Sequence, residues 1–86
     1  MDLEHKLAHV LELLDRLNVT VRHESLGGGG GGGLCRLRGR PVVFIDRDAD
    51  PPSRYAAVLD ALRNLDGLDA LYVLPEVRED LQRISR

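Results

Sequence analysis

The chain has 86 residues, 43% hydrophobic and 30% charged, with a single cysteine and a net charge of −2 at neutral pH. That size leaves room for one domain (residues 1–86) with one modest core, the lone cysteine excludes an internal disulfide or a cysteine-rich zinc site, and the overall acidity excludes strong sequence-independent DNA binding. No apolar run approaches the roughly 18 residues that span a bilayer. The N-terminal MDLEHKLAHV interleaves charge with leucine where a signal peptide would build an apolar core, so the reading is a cytoplasmic protein with no membrane contact. The charge is uneven: residues 22–47 carry Arg22, Arg36, Arg38, Arg40 and Arg47 against Glu24 and Asp46, a local +3 that leaves −5 elsewhere.

Leu3, Leu7, Val10, Leu11, Leu14 and Leu17 recur at helical spacing with Glu4, His5, His9, Glu12 and Arg16 off the stripe, which predicts an amphipathic helix closed by Asn18. VTVRHE then alternates as a half-buried strand does. Past the glycine run, LCRLR reads as a second strand and PVVFID as a third, joined by the short turn Arg38-Gly39-Arg40. The third strand is apolar on both faces, Val42 and Phe44 on one and Val43 and Ile45 on the other, so it is expected at the sheet centre with layers above and below. Asp50 before Pro51 is an N-cap followed by a first-turn proline, and Tyr55, Val58, Leu59, Leu62 and Leu65 carry a second helix over about residues 52–65. ALYVL reads as a fourth strand, and Pro75 opens a last helix with Val77, Leu81 and Ile84.

The expected fold is therefore α/β, a single domain in the order helix-strand-strand-strand-helix-strand-helix. Its sheet is mixed and four-stranded, an antiparallel meander with the fourth strand parallel to the third through a right-handed crossover. The glycine-rich stretch 25–33 is expected as a flexible hairpin loop inside the meander. This order resembles the minimal core of the restriction-endonuclease-like nucleases, whose chemistry needs an Asp on one meander strand and Glu-x-Lys on the next to hold Mg²⁺ and orient water. Here the second strand has no carboxylate and Asp46 has no lysine beside it, so that activity does not carry over. GGLCRLRGRPVVFID with the following P-x-x-R-Y helix also resembles a group of small uncharacterised bacterial proteins over about residues 19–84, a likeness that implies a compact domain and no activity.

Known site patterns fail on their flanks. A P-loop needs G-x-x-x-x-G-K-[ST], and Gly28 and Gly33 are followed by Leu34 and Cys35. A dinucleotide fingerprint needs a helix after the glycines, and LCRLR is a strand. A thiol phosphatase loop needs Arg six places after Cys35, where Pro41 stands; Cys35 is expected as a small buried side chain. His5 and His9 sit one helical turn apart without a third ligand and read as a solvated face. Asp46, Asp48 and Asp50 alternate as in a calcium loop, yet its glycine place is Pro51 and its glutamate place Ala57. Asp46, at a strand end where α/β proteins place ligands, is the residue of that trio not explained by capping. No cofactor or metal site is expected.

Ordering seven glycines in place of alanines costs about 4–7 kcal/mol, against a total stability of about 4–13 kcal/mol for a chain of this length. Either the loop is a mobile tip, or something outside the hairpin orders it. The leading functional reading is a non-catalytic interaction module, a self-associating or protein-binding one. Its contact would be the side-chain-free loop Gly27, Gly28, Gly29, Gly30, Gly31, Gly32 and Gly33 with the adjacent basic strand Arg36, Arg38 and Arg40. The alternative is a phosphate, nucleotide or RNA-backbone site made from the loop amides and those three arginines. Phe44, Tyr55 and Tyr72, the only aromatics, fall at core-like positions and offer no stacking platform, which weighs against nucleic acid. An enzyme ranks last, because no nucleophile, base and orienting group can be assembled from neighbouring motifs.

Overall fold

The computed structural model describes residues 1–28 and 30–84, so Gly29, Ser85 and Arg86 lie outside the described residues. The elements are α1 (Leu3–Arg16), β1 (Thr20–Glu24), β2 (Gly32–Leu37), β3 (Arg40–Asp46), α2 (Pro51–Arg63), a 3-10 turn at Leu68–Ala70 and α3 (Pro75–Ile84). This is a small α/β domain with a mixed sheet, as predicted, and the helix boundaries are those the caps dictate. Asp2 accepts the His5 amide at 2.9 Å and Asp50 accepts the Ser53 amide at 2.7 Å. Asn18, with φ 60, turns the chain out of α1.

The sheet has three strands, not the four expected. Residues 70–74 form no ladder: Gly67 (φ +95) reverses the chain after α2, and the segment then runs as a connector whose Val73 is buried while Tyr72 is 74% exposed. The Leu74 amide is satisfied outside the sheet, donating to Nε2 of His9 at 3.1 Å. A short apolar run packs equally well as connector or strand, and pattern alone does not separate them. The parallel pairing expected between the third and fourth strands accordingly does not form.

The strands are not a meander either. β3 is central, but the order is β1-β3-β2. β1 lies parallel to β3, from Thr20 opposite Val42 to Glu24 opposite Asp46. β2 lies antiparallel on the other side, from Gly32 opposite Ile45 to Leu37 opposite Arg40. The tight turn is Arg38–Gly39, both at positive φ (53° and 79°), the conformation whose twist suits a two-residue hairpin. The glycine-rich connection is therefore not a hairpin loop. It crosses the end of β3 from one sheet edge to the other, a span of about 10 Å for two inter-strand spacings.

Val43 and Ile45 of β3 pack with Val10, Leu13 and Leu14 of α1, Val58, Leu59 and Leu62 of α2 and Val77 and Leu81 of α3 in one core. All three helices thus share one face of the sheet, and the layer expected on the other face is absent among the described residues. Pairing register places Thr20, Arg22 and Glu24, then Val42 and Phe44, then Gly33, Cys35 and Leu37 on that helix-free face. The Arg22 guanidinium lies 5.6 Å from the centroid of the Phe44 ring and 2.7 Å from Glu24, forming part of its cover.

One polar cluster ties the helices together. Asp80 of α3 accepts from Lys6 of α1 at 2.9 Å and from the Tyr55 hydroxyl of α2 at 2.7 Å. Burial works to raise the Asp80 carboxyl, but the Lys6 ammonium and the Tyr55 hydroxyl outweigh it and hold the group below the usual aspartate range. Burial, reinforced by Asp80, pushes the Tyr55 hydroxyl well above an ordinary tyrosine.

Hydrogen exchange checks this topology. The amides of Val43 and Ile45, inside the central strand, are expected among the slowest, while those of Tyr72 and Val73 exchange quickly; slow exchange at Tyr72 and Val73 would restore a fourth strand.

Candidate functional site

The glycine arch is built around one carboxylate. Asp46 ends β3 and is 1% exposed, directly under the connection that crosses from β1 to β2. Its Oδ1 accepts the amides of Leu26 and Asp48, both at 2.9 Å, and its Oδ2 accepts that of Gly28 at 2.6 Å. Ser25 Oγ donates to the Asp48 carboxylate, so the entry to the arch is tied to the β3–α2 turn as well. The Leu26 amide foremost, then those of Asp48 and Gly28, hold the Asp46 carboxyl below the usual aspartate range against the opposing effect of burial. The anchor that the glycine run needs is inside the chain.

Two of the glycines are required by close approach. A Cβ on Gly31 (φ +81) would lie 2.2 Å from the carbonyl oxygen of Ser53 in α2, and one on Gly32 (φ +133) would lie 1.9 Å from the carbonyl oxygen of Phe44. Gly30 and Gly33 have nothing within 4 Å of a built Cβ. The run thus mixes positions that only glycine can fill with positions that any small residue could take.

The other residues singled out from sequence fall elsewhere. Arg36 is on β2, Arg38 in the turn and Arg40 at the start of β3, all exposed and, among the described residues, in no ion pair. Arg38 and Arg40 lie at the end of β3 opposite Asp46, about 20 Å along a strand of this length. The structure therefore does not bring the loop glycines and the three arginines into one cradle, and Gly29 lies outside the described residues. Nor does α2 offer free amides at its start: Pro51 and Pro52 have no N–H, and Asp50 takes the Ser53 amide.

Cys35 is exposed, not buried as expected. The reason is topological. A meander would have placed this strand between two neighbours, whereas β2 is an edge strand and Cys35 points to the helix-free face beside Val42. His5 is exposed and bonded to Asp2 at 2.8 Å, while His9 faces inward as the acceptor for Leu74. Among the described residues no three His, Cys, Asp or Glu side chains converge as a metal site requires. No helix among them is long and apolar enough to cross a membrane.

The edge of β2 is the surface that sequence reasoning missed. The Asp46 amide donates to the Gly31 carbonyl at 2.9 Å. In an antiparallel ladder bonded and non-bonded pairs alternate, so Gly33–Phe44, Cys35–Val42 and Leu37–Arg40 are also bonded pairs. The amides and carbonyls of Gly32, Leu34 and Arg36 consequently point outward, where no strand among the described residues meets them. Only Arg36 is charged along this edge, and Leu37 beside it is 48% exposed. β1, the other edge strand, carries the Arg22–Glu24 pair and His23. No protein-family model, curated protein or solved structure matches the chain.

Two measurements test the arch. Gly31→Ala is expected to cost more than about 2 kcal/mol, while Gly30→Ala and Gly33→Ala stay within about 0.5 kcal/mol of the parent in denaturant melts. The second concerns acid. The folded-state pKa of Asp46 lies below its unfolded value of about 3.9, so the stability it contributes is present above that value and is lost as pH falls through the folded one. Asp2, Asp50 and Asp80 are lowered in the same direction. Thermal melts from pH 7 to pH 2 should therefore show a steep fall below about pH 4. Asp46→Asn should start lower at pH 7, by roughly 5–10 °C, and fall less steeply; an unchanged slope would remove Asp46 from its role.

Proposed function

We propose that the chain is a non-catalytic interaction module that takes a protein partner along strand β2 and the turn that follows it. The observation that carries this reading is the coincidence, on one strand, of an outward-facing ladder edge and the margin of a sheet face that no helix covers. Uncovered edges invite strand addition, and proteins that do not use them protect them with charge, proline, bulges or a covering element. Along β2 the sequence supplies one arginine and no proline.

In this reading the glycine arch shapes the surface without being the contact. By anchoring on Asp46 it carries the chain to the far side of β3 and delivers β2 to the sheet edge. Arg36, Arg38 and Arg40 line that edge and the turn after it, so a pairing strand must be set in a register that keeps like charges from standing directly opposite them. The phosphate or nucleic-acid alternative has less support, since two of the loop amides already serve Asp46 and Arg38 and Arg40 lie at the opposite strand end.

Arg36 separates backbone pairing from charge. Its N–H points outward and its side chain is exposed, so Arg36→Pro removes one edge donor with little loss of packing, whereas Arg36→Gln keeps the donor and removes the charge. Partner retention from the native host, with nuclease treatment, is expected to survive Arg36→Gln and to fall at least roughly tenfold in Arg36→Pro, a loss of about 1.4 kcal/mol. Loss in the Gln variant alone, or only after nuclease, would favour an anion site.

A further inference from the structure

We propose that the occupant of the β2 edge is a second copy of this chain, joined antiparallel about a two-fold axis at Cys35 so that two three-stranded sheets become one of six strands. This rests on the interaction-module reading and names its partner.

The strand's own pattern supports self-pairing. When the helix-free faces of both copies lie on the same side, only alternate registers are allowed, because a one-residue shift exchanges the faces. Setting Arg36 opposite its own copy, or opposite Arg38, would oppose like charges across the strands. The register centred on Cys35 avoids both: Arg36 faces Leu34 of the second copy. The same register sets Leu37, 48% exposed, opposite Gly33 of the second copy, where a built Cβ has open space around it and Phe44 is the next residue across the sheet. A glycine beside a partly exposed aromatic leaves a gap, and an apolar side chain reaching over from the neighbouring strand fills it. An adjacent register centred on Leu34 would set Leu37 opposite Gly31 at the strand end and place only the smaller Cys35 side chain opposite Gly33.

The hydrogen-bond parity agrees. Leu34 and Arg36 direct their backbone groups outward, so they form the bonded pairs between copies, and Cys35 opposite Cys35 is a non-bonded pair, in which Cα atoms approach to about 4.5 Å. That is within the range a disulfide spans. The cysteines thus report the register without being required for the contact. A single strand pair lies at the small end of specific interfaces, so the dimer is expected to form in the micromolar range.

Sedimentation of the full chain between about 5 µM and 500 µM is expected to show a monomer–dimer equilibrium, shifted at least roughly tenfold toward monomer by Leu37→Glu and by Arg36→Pro. Leu37 is exposed, so the Glu variant keeps the fold and the test does not depend on the proline. Diamide, which takes up the two protons and two electrons released when two thiols join, should link the wild-type chain through Cys35 reversibly. In Cys35→Ser/Leu37→Cys the two new thiols sit about 13 Å apart along the strands and should link at least roughly tenfold more slowly. A chain monomeric at the highest concentration, or equal rates at the two positions, would overturn the dimer or its register. A monomeric chain that still retains another protein in an Arg36-dependent way would keep the module and discard the self-pairing.

Discussion

Three backbone amides converge on the Asp46 carboxylate, and the path of the chain depends on that convergence. A buried carboxylate needs donors, and a strand end supplies few. Leu26 and Gly28, reached only because the connection bends over β3, and Asp48, two residues downstream, provide them. The requirement is mutual. A glycine-rich segment has no side chains with which to pin itself, so a charged acceptor beneath it is the means by which an 86-residue chain can order it without a partner.

This arrangement changes what the end of the sheet can do. In many α/β proteins the C-terminal ends of strands, a glycine-rich turn and a helix N-terminus combine to hold a phosphate. All three parts are present here, but the chain fills the position with its own carboxylate. Two prolines remove amides from the first turn of α2, Asp50 takes the next one, and Asp48 adds a second negative charge. An incoming anion would meet Asp46, Asp48 and Asp50. The features that look like a cradle in the sequence have been assembled around an internal anion.

Much of the fold was legible. The leucine stripe of α1, the Asp50–Pro51 start of α2 and Pro75 at the head of α3 each carry a local physical signature and lie where expected, and the apolar run of β3 marks its central place in the sheet though not a second layer over it. What was not legible depended on pairing at a distance. Nothing in VTVRHE or GGLCRLR says on which side of β3 either strand lies, and residues 70–74 have the composition of a strand while acting as a connector. The exposure of Cys35 follows from the same ambiguity, since a residue buried in a meander is exposed on an edge. Asp46 could be suspected from sequence, being a carboxylate at the end of a central strand that capping left unexplained. The amides it collects could not.

The crossing and the bare edge are one fact seen from two sides. Had β1, β2 and β3 formed a meander without a fourth strand, β3 would have been the edge. The strand with apolar side chains on both faces would then have presented an open ladder to solvent, a direct route to aggregation. Passing the chain over the end of β3 covers both of its ladders and moves the exposure to β1 and β2, each of which has less apolar surface to lose than β3. The cost is that β2 then has one unpaired edge and one uncovered face. Among the described residues no further helix is left to cover them, since α3 packs on α2 and the connector before it contributes Val73 to the core. In the self-pairing proposed above a second copy completes β2, and the same glycines that allow the crossing leave the gap beside Phe44 that its Leu37 enters.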